Sequence, residues 1–135
     1  MPATIPFIDS NVLVYLLSAT DHKSDIANAL LRAGACISVQ VLNEVGNVMR
    51  RKCRYEWHDV DEFLSLVIQL CTVEPMTLET HVRGRRLAQR YGLSLYDGQI
   101  VSAALLAGCE VLFSEDMQHG LLVEKTLRIQ NPFLS

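Results

Sequence analysis

The sequence predicts an α/β fold with three layers, in which helices cover both faces of a central, mainly parallel sheet of four to five strands. Short apolar runs alternate with longer segments of helical periodicity along the chain. Half of the residues are hydrophobic, which is enough for a sheet buried on both faces. The length of 135 residues suits one domain, so a single domain is expected over 1–135.

Five short apolar runs are predicted as strands, at 5–8, 35–39, 71–75, 110–114 and 126–132. Helices are predicted at 10–18, 22–34, 40–54, 59–70, 77–92 and 94–108. Several of these helices end on a glycine, which supplies the left-handed conformation common just after a helix. Because strands and helices alternate, functional groups are expected at the carboxyl ends of the strands.

Charge and composition limit the possible partners. Twelve basic and fifteen acidic residues give a net charge of −3, whereas proteins that bind nucleic acids usually have a basic excess. This objection weakens if metal ions neutralise several of the acids. There is no signal-peptide pattern, no run long enough to span a membrane, and no C-x-x-C among the four cysteines. We therefore expect a cytoplasmic protein with free thiols and no membrane contact.

Four carboxylates from distant parts of the chain are expected at one edge of the sheet. Asp9 follows the first predicted strand and Asp116 follows the fourth. Asp97 begins the helix before the fourth strand, so it lies near the same edge. Glu44 lies near the start of the helix after the second strand, on the apolar side of that helix. The four acids can thus converge on one place.

Each acid also has a purely structural interpretation. Asp9 fits a helix cap, Asp97 fits an acid in the first turn of a helix, and Asp116 fits a turn residue. Glu44 is harder to explain, because a buried carboxylate needs a partner. None of the four segments contains a basic neighbour, so repulsion would raise the pKa values of these acids. A divalent cation removes that cost, and an all-oxygen ligand set selects Mg²⁺ or Mn²⁺ over zinc.

Four segments of the chain resemble the acidic motifs of the PIN-domain ribonucleases. They are FIDSNVLVYL, VLNEVGNVM, LYDGQIVSAAL and LFSEDM, with the acids in the order Asp, Glu, Asp, Asp. The resemblance is greatest to the VapC-type toxins of toxin–antitoxin pairs and covers nearly the whole chain. It implies a PIN-like fold and an endoribonuclease that cuts single-stranded or looped RNA with Mg²⁺ or Mn²⁺.

The resemblance also implies roles for individual residues. Asp9, Asp97 and Asp116 correspond to the main metal ligands of the family. Glu44 corresponds to a ligand of a second ion or to the group that orients and deprotonates the attacking water. Ser114 matches the Ser or Thr that family members often carry there, where it supports a ligand or the substrate phosphate.

Further expectations concern support of the site and partners. Asn11 supports the site in the same way as Ser114 or caps a helix; the sequence fits both. Family members commonly form homodimers, and an antitoxin silences them by wrapping its C-terminal segment around the toxin and into the site. We therefore expect an RNA substrate, a cognate antitoxin and a homodimer.

Two basic clusters are candidates for RNA binding. The first contains Arg50 and Arg51, with Lys52 and Arg54 beside them; the second contains Arg83, Arg86 and Arg90, with Arg85 beside them. Contacts of such clusters with phosphates tolerate any base sequence and weaken with salt. The same clusters also fit a solvated helix face or a surface for an acidic antitoxin segment.

Other classes of protein explain the sequence less well. A haloacid-dehalogenase-like phosphatase requires a second acid where this chain has Asn11, and a response-regulator receiver requires a lysine that the segment after the fourth strand lacks. The glycine-rich nucleotide-binding motifs are also absent. Two alternatives stay open: a catalytically silent PIN-like module that binds RNA or protein, and a role in RNA processing instead of toxicity.

Overall fold

The centre of the fold is a mainly parallel sheet, as the sequence predicts. The computed structural model describes residues 4–18 and 21–134. Within them the strands are β1 (Phe7–Ile8), β2 (Cys36–Ser38), β3 (Thr72–Glu74), β4 (Val111–Phe113), β5 (Leu122–Val123) and β6 (Leu127–Gln130). Their order across the sheet is β3-β2-β1-β4-β6-β5, and only β5 is antiparallel to its neighbour.

Helices connect the strands. They are α1 (Ser10–Leu13), α2 (His22–Ala33), α3 (Val39–Arg51), α4 (Trp57–Leu70), α5 (Leu78–Tyr91) and α6 (Leu95–Leu106). The chain runs outward from β1 to β3 and then returns to place β4 on the other side of β1. Because such crossovers are right-handed, α1–α4 cover one face of the sheet and α5 and α6 cover the other. The α/β/α arrangement is therefore confirmed.

The contact between α5 and α6 fixes the start of α6. A Cβ atom on Gly98 would lie 2.4 Å from the carbonyl oxygen of Gly84 and 3.0 Å from the Cβ of Ala88. The two helices can cross this closely only because residue 98 has no side chain. Seven residues of α6 are buried in the core. The first turn of this helix, which carries Asp97, is therefore held firmly against the rest of the protein.

One strand was not expected from the sequence. β5 has two residues and pairs with β6 through a tight turn at Glu124 and Lys125, whose φ angles are 49° and 62°. Turns of this kind normally contain Asn or Gly, so the sequence carries no signal for it. The Tyr91 hydroxyl accepts a hydrogen bond from the Glu124 N–H at 2.9 Å, which helps to hold the turn.

Some helix boundaries also differ from the prediction. The segment expected as one helix at 10–18 is α1 followed by a 3₁₀ turn at Val14–Leu17. α4 begins at Trp57, two residues earlier than expected. α3 ends at Arg51, three residues earlier than expected, and Arg54 has a left-handed conformation with φ 58°. None of the described helices is long and apolar enough to cross a membrane. All four cysteines are free, and one of them, Cys53, is exposed.

Candidate active site

Asp9 lies where the order of the strands reverses, between β1 and β4. Crevices at such points, outside the carboxyl ends of the strands, are where parallel α/β sheets bind ligands. The Asp9 N–H donates to the Phe113 carbonyl at 2.9 Å, which ties the ends of the two strands together. Its side chain is only 2% exposed. Oδ1 accepts from the Ser10 N–H at 2.7 Å, and Oδ2 accepts from the Ser114 hydroxyl at 2.8 Å and the Asn11 amide at 3.2 Å.

Burial raises the pKa of Asp9 to about 7. The hydrogen bonds from Ser114 and Ser10 act in the opposite direction, and the charges of Glu44 and Asp97 raise the pKa further. Asp9 therefore faces two other carboxylates from distant parts of the chain, as the sequence predicts. Its ionised form is costly in the absence of a cation.

Glu44 is half-buried on α3 and has two neutral partners. Its Oε1 accepts from the Ser10 hydroxyl at 2.7 Å, and its Oε2 accepts from the Gln40 amide at 3.0 Å. The Ser10 hydroxyl also lies 3.3 Å from Oδ1 of Asp9. Ser10 therefore bridges the two acids, a role that the sequence analysis missed although the residue directly follows Asp9.

Asp97 and Asp116 complete the acidic cluster. Burial, Glu44 and Asp116 raise the pKa of Asp97, while its hydrogen bond with Ser94 lowers it. Ser94 caps the N-terminus of α6, so the Asp97 side chain is not required as the helix cap. Asp116 is exposed in the bend after β4. The charges of the four acids therefore influence one another as one connected set. Asp9 has a structural role as well, because its side chain caps α1.

The negative charges of the four acids have no positive partner among the described residues. The ion pairs found in residues 4–18 and 21–134 join Lys23 to Glu115, His58 to Glu62 and Arg83 to Glu124. A cluster of carboxylates without a nearby cation fits a hard divalent ion such as Mg²⁺ or Mn²⁺. In the same residues, however, no three Asp, Glu, His or Cys side chains are close enough together to hold a metal ion.

Glu115, which neighbours Asp116, has a different role. Its carboxylate accepts from the Tyr15 hydroxyl at 2.6 Å and pairs with the Lys23 ammonium at 2.5 Å. Burial raises the pKa of Glu115, but the hydrogen bonds from Lys23 and Tyr15 outweigh it and the net shift is downward. Its N–H donates to the Asn11 side chain at 3.0 Å. The structure thereby separates the two acids of LFSEDM: Glu115 is engaged in holding the loop, and Asp116 remains exposed.

The second basic cluster lines one groove along α5. The residues of this groove, the α5 groove, are Leu78, Glu79, Val82, Arg83, Arg86, Leu87, Arg90 and Glu124. Arg83 is already paired with Glu124 at 3.2 Å, whereas Arg86 and Arg90 are exposed. The three arginines therefore lie along one groove, as predicted. Arg86 and Arg90 form no ion pair with a described residue, and the Arg90 guanidinium lies 5.3 Å from the centre of the Tyr91 ring.

In the first basic cluster, Arg50 is engaged within the protein. Its guanidinium donates to the Tyr55 carbonyl at 2.8 Å and lies 4.7 Å from the centre of the Trp57 ring. Arg51 lines the cleft between α3 and α4. No motif in the sequence indicates that Arg50 contacts the loop between these helices.

The fold and site define an α/β protein with an acidic cluster at the strand-order reversal of a parallel sheet. The family model described as PIN domain matches residues 7–120. The chain therefore belongs to the PIN-domain family, as the four motifs predict. No protein with a curated description matches it.

Several solved structures share this fold. A toxin–antitoxin complex from Klebsiella pneumoniae has a TM-score of 0.71 at 19% identity, with 95% of this chain and 98% of that chain covered. VapC20 of Mycobacterium tuberculosis, a toxin that cleaves the sarcin–ricin loop, has a TM-score of 0.67 at 18% identity, covering 82% and 89%. VapBC2 of Rickettsia felis, bound to a promoter DNA fragment, has a TM-score of 0.64 at 16% identity, covering 95% and 98%.

Proposed function

We propose that this chain is a metal-dependent endoribonuclease and the toxin of a type II toxin–antitoxin system. The observation that carries the proposal is the set of four carboxylates, Asp9, Glu44, Asp97 and Asp116, which influence one another without a positive partner among the described residues. Membership of the PIN-domain family and the likeness in fold to toxin structures support it.

In this proposal Asp9, Asp97 and Asp116 hold Mg²⁺ or Mn²⁺, and Glu44 binds a second ion or takes the proton of the attacking water. When bound, the ion supplies an electrophile for the phosphodiester and favours deprotonation of water. The chain itself provides the orientation. Ser114 and Asn11 hold Oδ2 of Asp9 by hydrogen bonds, which restricts rotation of the carboxylate.

The position of Glu44 suits the role of a base or ligand. Its two oxygens are held by Ser10 and Gln40, both neutral, so its negative charge is oriented but not cancelled. Such a carboxylate can accept a proton or contact a cation without first breaking an ion pair. Arg86 and Arg90 add a positive surface for the RNA backbone.

We further propose a homodimer that acts in the cytoplasm and is silenced by a cognate antitoxin. The likeness in fold to the toxin–antitoxin complex from Klebsiella pneumoniae supports the antitoxin as a partner. Copurification of this chain with a small coexpressed antitoxin, followed by light scattering of the free chain, tests both associations.

The test of the enzymatic proposal is RNA cleavage by the native protein, by Asp97→Asn and by Asp25→Asn, each in Mn²⁺, Mg²⁺ and EDTA. Asp25 is an exposed acid in the first turn of α2. It therefore occupies the same helix position as Asp97 but lies outside the acidic cluster. Cleavage by the native protein and Asp25→Asn, only with metal and not by Asp97→Asn, is the expected result. Equal cleavage by all three proteins would indicate a contaminating nuclease and contradict the proposal.

A second candidate function is a catalytically silent PIN-like module that binds RNA or protein. The observation that favours it is the spacing of the acids, since no three of the described Asp, Glu, His or Cys side chains approach within metal-binding distance. RNA binding by the native protein with no cleavage in either metal would select this candidate.

A further inference from the structure

A cavity lined by side chains with hydrogen-bonding groups adjoins the acidic cluster. It is lined by Gln40, Asn43, Glu44, Asn47 and Tyr96. Four of these residues lie on α3, and Tyr96 lies in the first turn of α6, directly before Asp97. The cavity therefore shares Glu44 with the acidic cluster, and a ligand in it would lie beside the proposed site of cleavage.

The lining of this cavity carries unused hydrogen-bonding groups. Gln40 is engaged with Glu44, but the side chains of Asn43 and Asn47 are exposed and form no hydrogen bond with any described residue. These two asparagines are separated by one helical turn, so their amides lie side by side on α3. Each amide offers two donor hydrogens and one acceptor oxygen.

Tyr96 adds an aromatic surface. Its side chain is 63% exposed, although α6 is otherwise largely buried. An exposed aromatic ring beside hydrogen-bonding amides is the combination by which proteins bind unpaired nucleobases, with the ring stacking on the base and the amides contacting its edge. The side chains that line the cavity include no cation, and Glu44 is negative, so the lining disfavours a phosphate and favours a neutral group.

We infer that this cavity holds one unpaired nucleobase of the RNA substrate, and that Asn43, Asn47 and Tyr96 determine which base lies next to the cleaved bond. This inference rests on the proposed function and adds to it a preference for one base beside the cleaved bond. A peptide segment is the other possible occupant. The exposed Tyr96 ring beside the amides of Asn43 and Asn47 favours the base, because stacking together with contacts to the base edge is the way proteins bind unpaired nucleobases.

The experiment measures binding separately from cleavage. The Asp9→Asn protein serves as the background, since Asn has the same shape without the charge and is expected to leave the RNA intact. A random pool of eight-nucleotide single-stranded RNAs is bound in Mg²⁺, and the bound fraction is sequenced. Asn43→Ala, Asn47→Ala, Tyr96→Ala and Tyr96→Phe are added one at a time, with Gln89→Ala as the control. Gln89 is an exposed amide on α5 that, among the described residues, forms a side-chain hydrogen bond only with the Arg85 carbonyl.

The background protein is expected to enrich one base at one position. Each asparagine variant is expected to reduce this enrichment by about fivefold to a hundredfold, in line with the loss of a base-edge contact. Tyr96→Ala is expected to weaken binding of all sequences by a similar factor, and Tyr96→Phe to retain it, because Phe keeps the stacking surface. Gln89→Ala is expected to change neither quantity.

Three results would overturn the inference. The first is an enrichment profile that stays unchanged in all four variants, and the second is the absence of RNA binding by the background protein. The third is a set of variants that lose binding to an antitoxin peptide while their RNA profile is unchanged, which would assign the cavity to the peptide. Failure of the proposed ribonuclease function is detected separately, in the cleavage assay with Asp97→Asn, and does not alter the binding result.

Discussion

The Ser114 hydroxyl donates a hydrogen bond of 2.8 Å to Oδ2 of Asp9, and both groups are buried. The two residues follow neighbouring parallel strands, β4 and β1, so this bond links the ends of the strands on which the site is built. It is also among the causes that lower the pKa of Asp9 against the effect of burial. Ser114 thus stabilises the ionised form of the most buried acid in the cluster.

Replacing Ser114 by Ala is therefore expected to destabilise the protein at pH 8 by about 1–3 kcal/mol, because a buried carboxylate loses a charged hydrogen bond. The matched control is Ser102→Ala. Ser102 is also fully buried, but its hydroxyl has no hydrogen-bond partner among the described residues, so its removal is expected to be neutral or stabilising. Urea unfolding of the three proteins gives the comparison, and equal losses in both variants would contradict this role for Ser114.

The stability of the metal-free protein is expected to fall as the pH rises. The carboxyl group of Asp9 has a pKa of about 7 in the folded protein and an ordinary value of 3.8, so protonation favours the folded state. This contribution is fully present below about pH 4 and is lost as the pH rises through about 7; it is on the order of 4 kcal/mol. Unfolding curves in EDTA between pH 4 and 8 measure it. Asp9→Asn should remove most of the dependence, and an unchanged slope in that variant would assign it to other groups.

Divalent ions are expected to raise the melting temperature at pH 7.5. A metal that binds only the folded state at ten times its dissociation constant adds about 1.4 kcal/mol, which corresponds to a few degrees for a chain of this size. Thermal unfolding in EDTA and in millimolar Mg²⁺ or Mn²⁺ provides the measurement. Asp97→Asn should reduce the shift, and Asp25→Asn should not. A melting temperature that changes with neither ion would contradict the proposed metal site.

Replacing Arg86 by Ala is expected to weaken RNA binding and to reduce the salt dependence by about 0.7 in the slope of log K against log salt, the value for one phosphate contact with a single strand. Arg85→Ala is the matched control, because Arg85 is exposed on the same helix but does not line the α5 groove. Binding of one labelled RNA at several salt concentrations tests this. Equal slopes for Arg86→Ala and Arg85→Ala would exclude the α5 groove from phosphate binding.

Gly98→Ala is expected to destabilise the protein by at least about 2 kcal/mol, because its Cβ would lie 2.4 Å from the backbone oxygen of Gly84 and would force α5 and α6 apart. Gly46→Ala on α3 is the control. There the nearest atom is the flexible Leu64 Cδ1 at 3.3 Å, and the gain in helix propensity limits the change to about 1 kcal/mol in either direction. Chemical unfolding of both variants distinguishes the two sites. A small loss of stability in Gly98→Ala would show that the crossing of α5 and α6 can relax.

Most of the fold could be predicted from the sequence, because it follows from local patterns. The alternation of apolar runs and helical segments and the left-handed Gly92 and Gly108 at helix ends are present in the structure. β5 and the 3₁₀ turn at Val14–Leu17 were missed. Both depend on contacts with distant residues, namely Tyr91 with the β5–β6 turn and Tyr15 with Glu115.

The sequence alone predicts that Asp9, Glu44, Asp97 and Asp116 lie near one edge of the sheet, because strand ends and helix starts set the position of a residue along an element. It did not determine which neutral groups hold these acids. Three features arise only when distant elements pack together: the bridge by Ser10, the hydrogen bonds of Asn11 and Ser114 to Asp9, and the separation of Glu115 from Asp116. The physical reason is that hydrogen bonds depend on distances of a few ångströms between side chains, and only packing of elements far apart in the chain sets those distances.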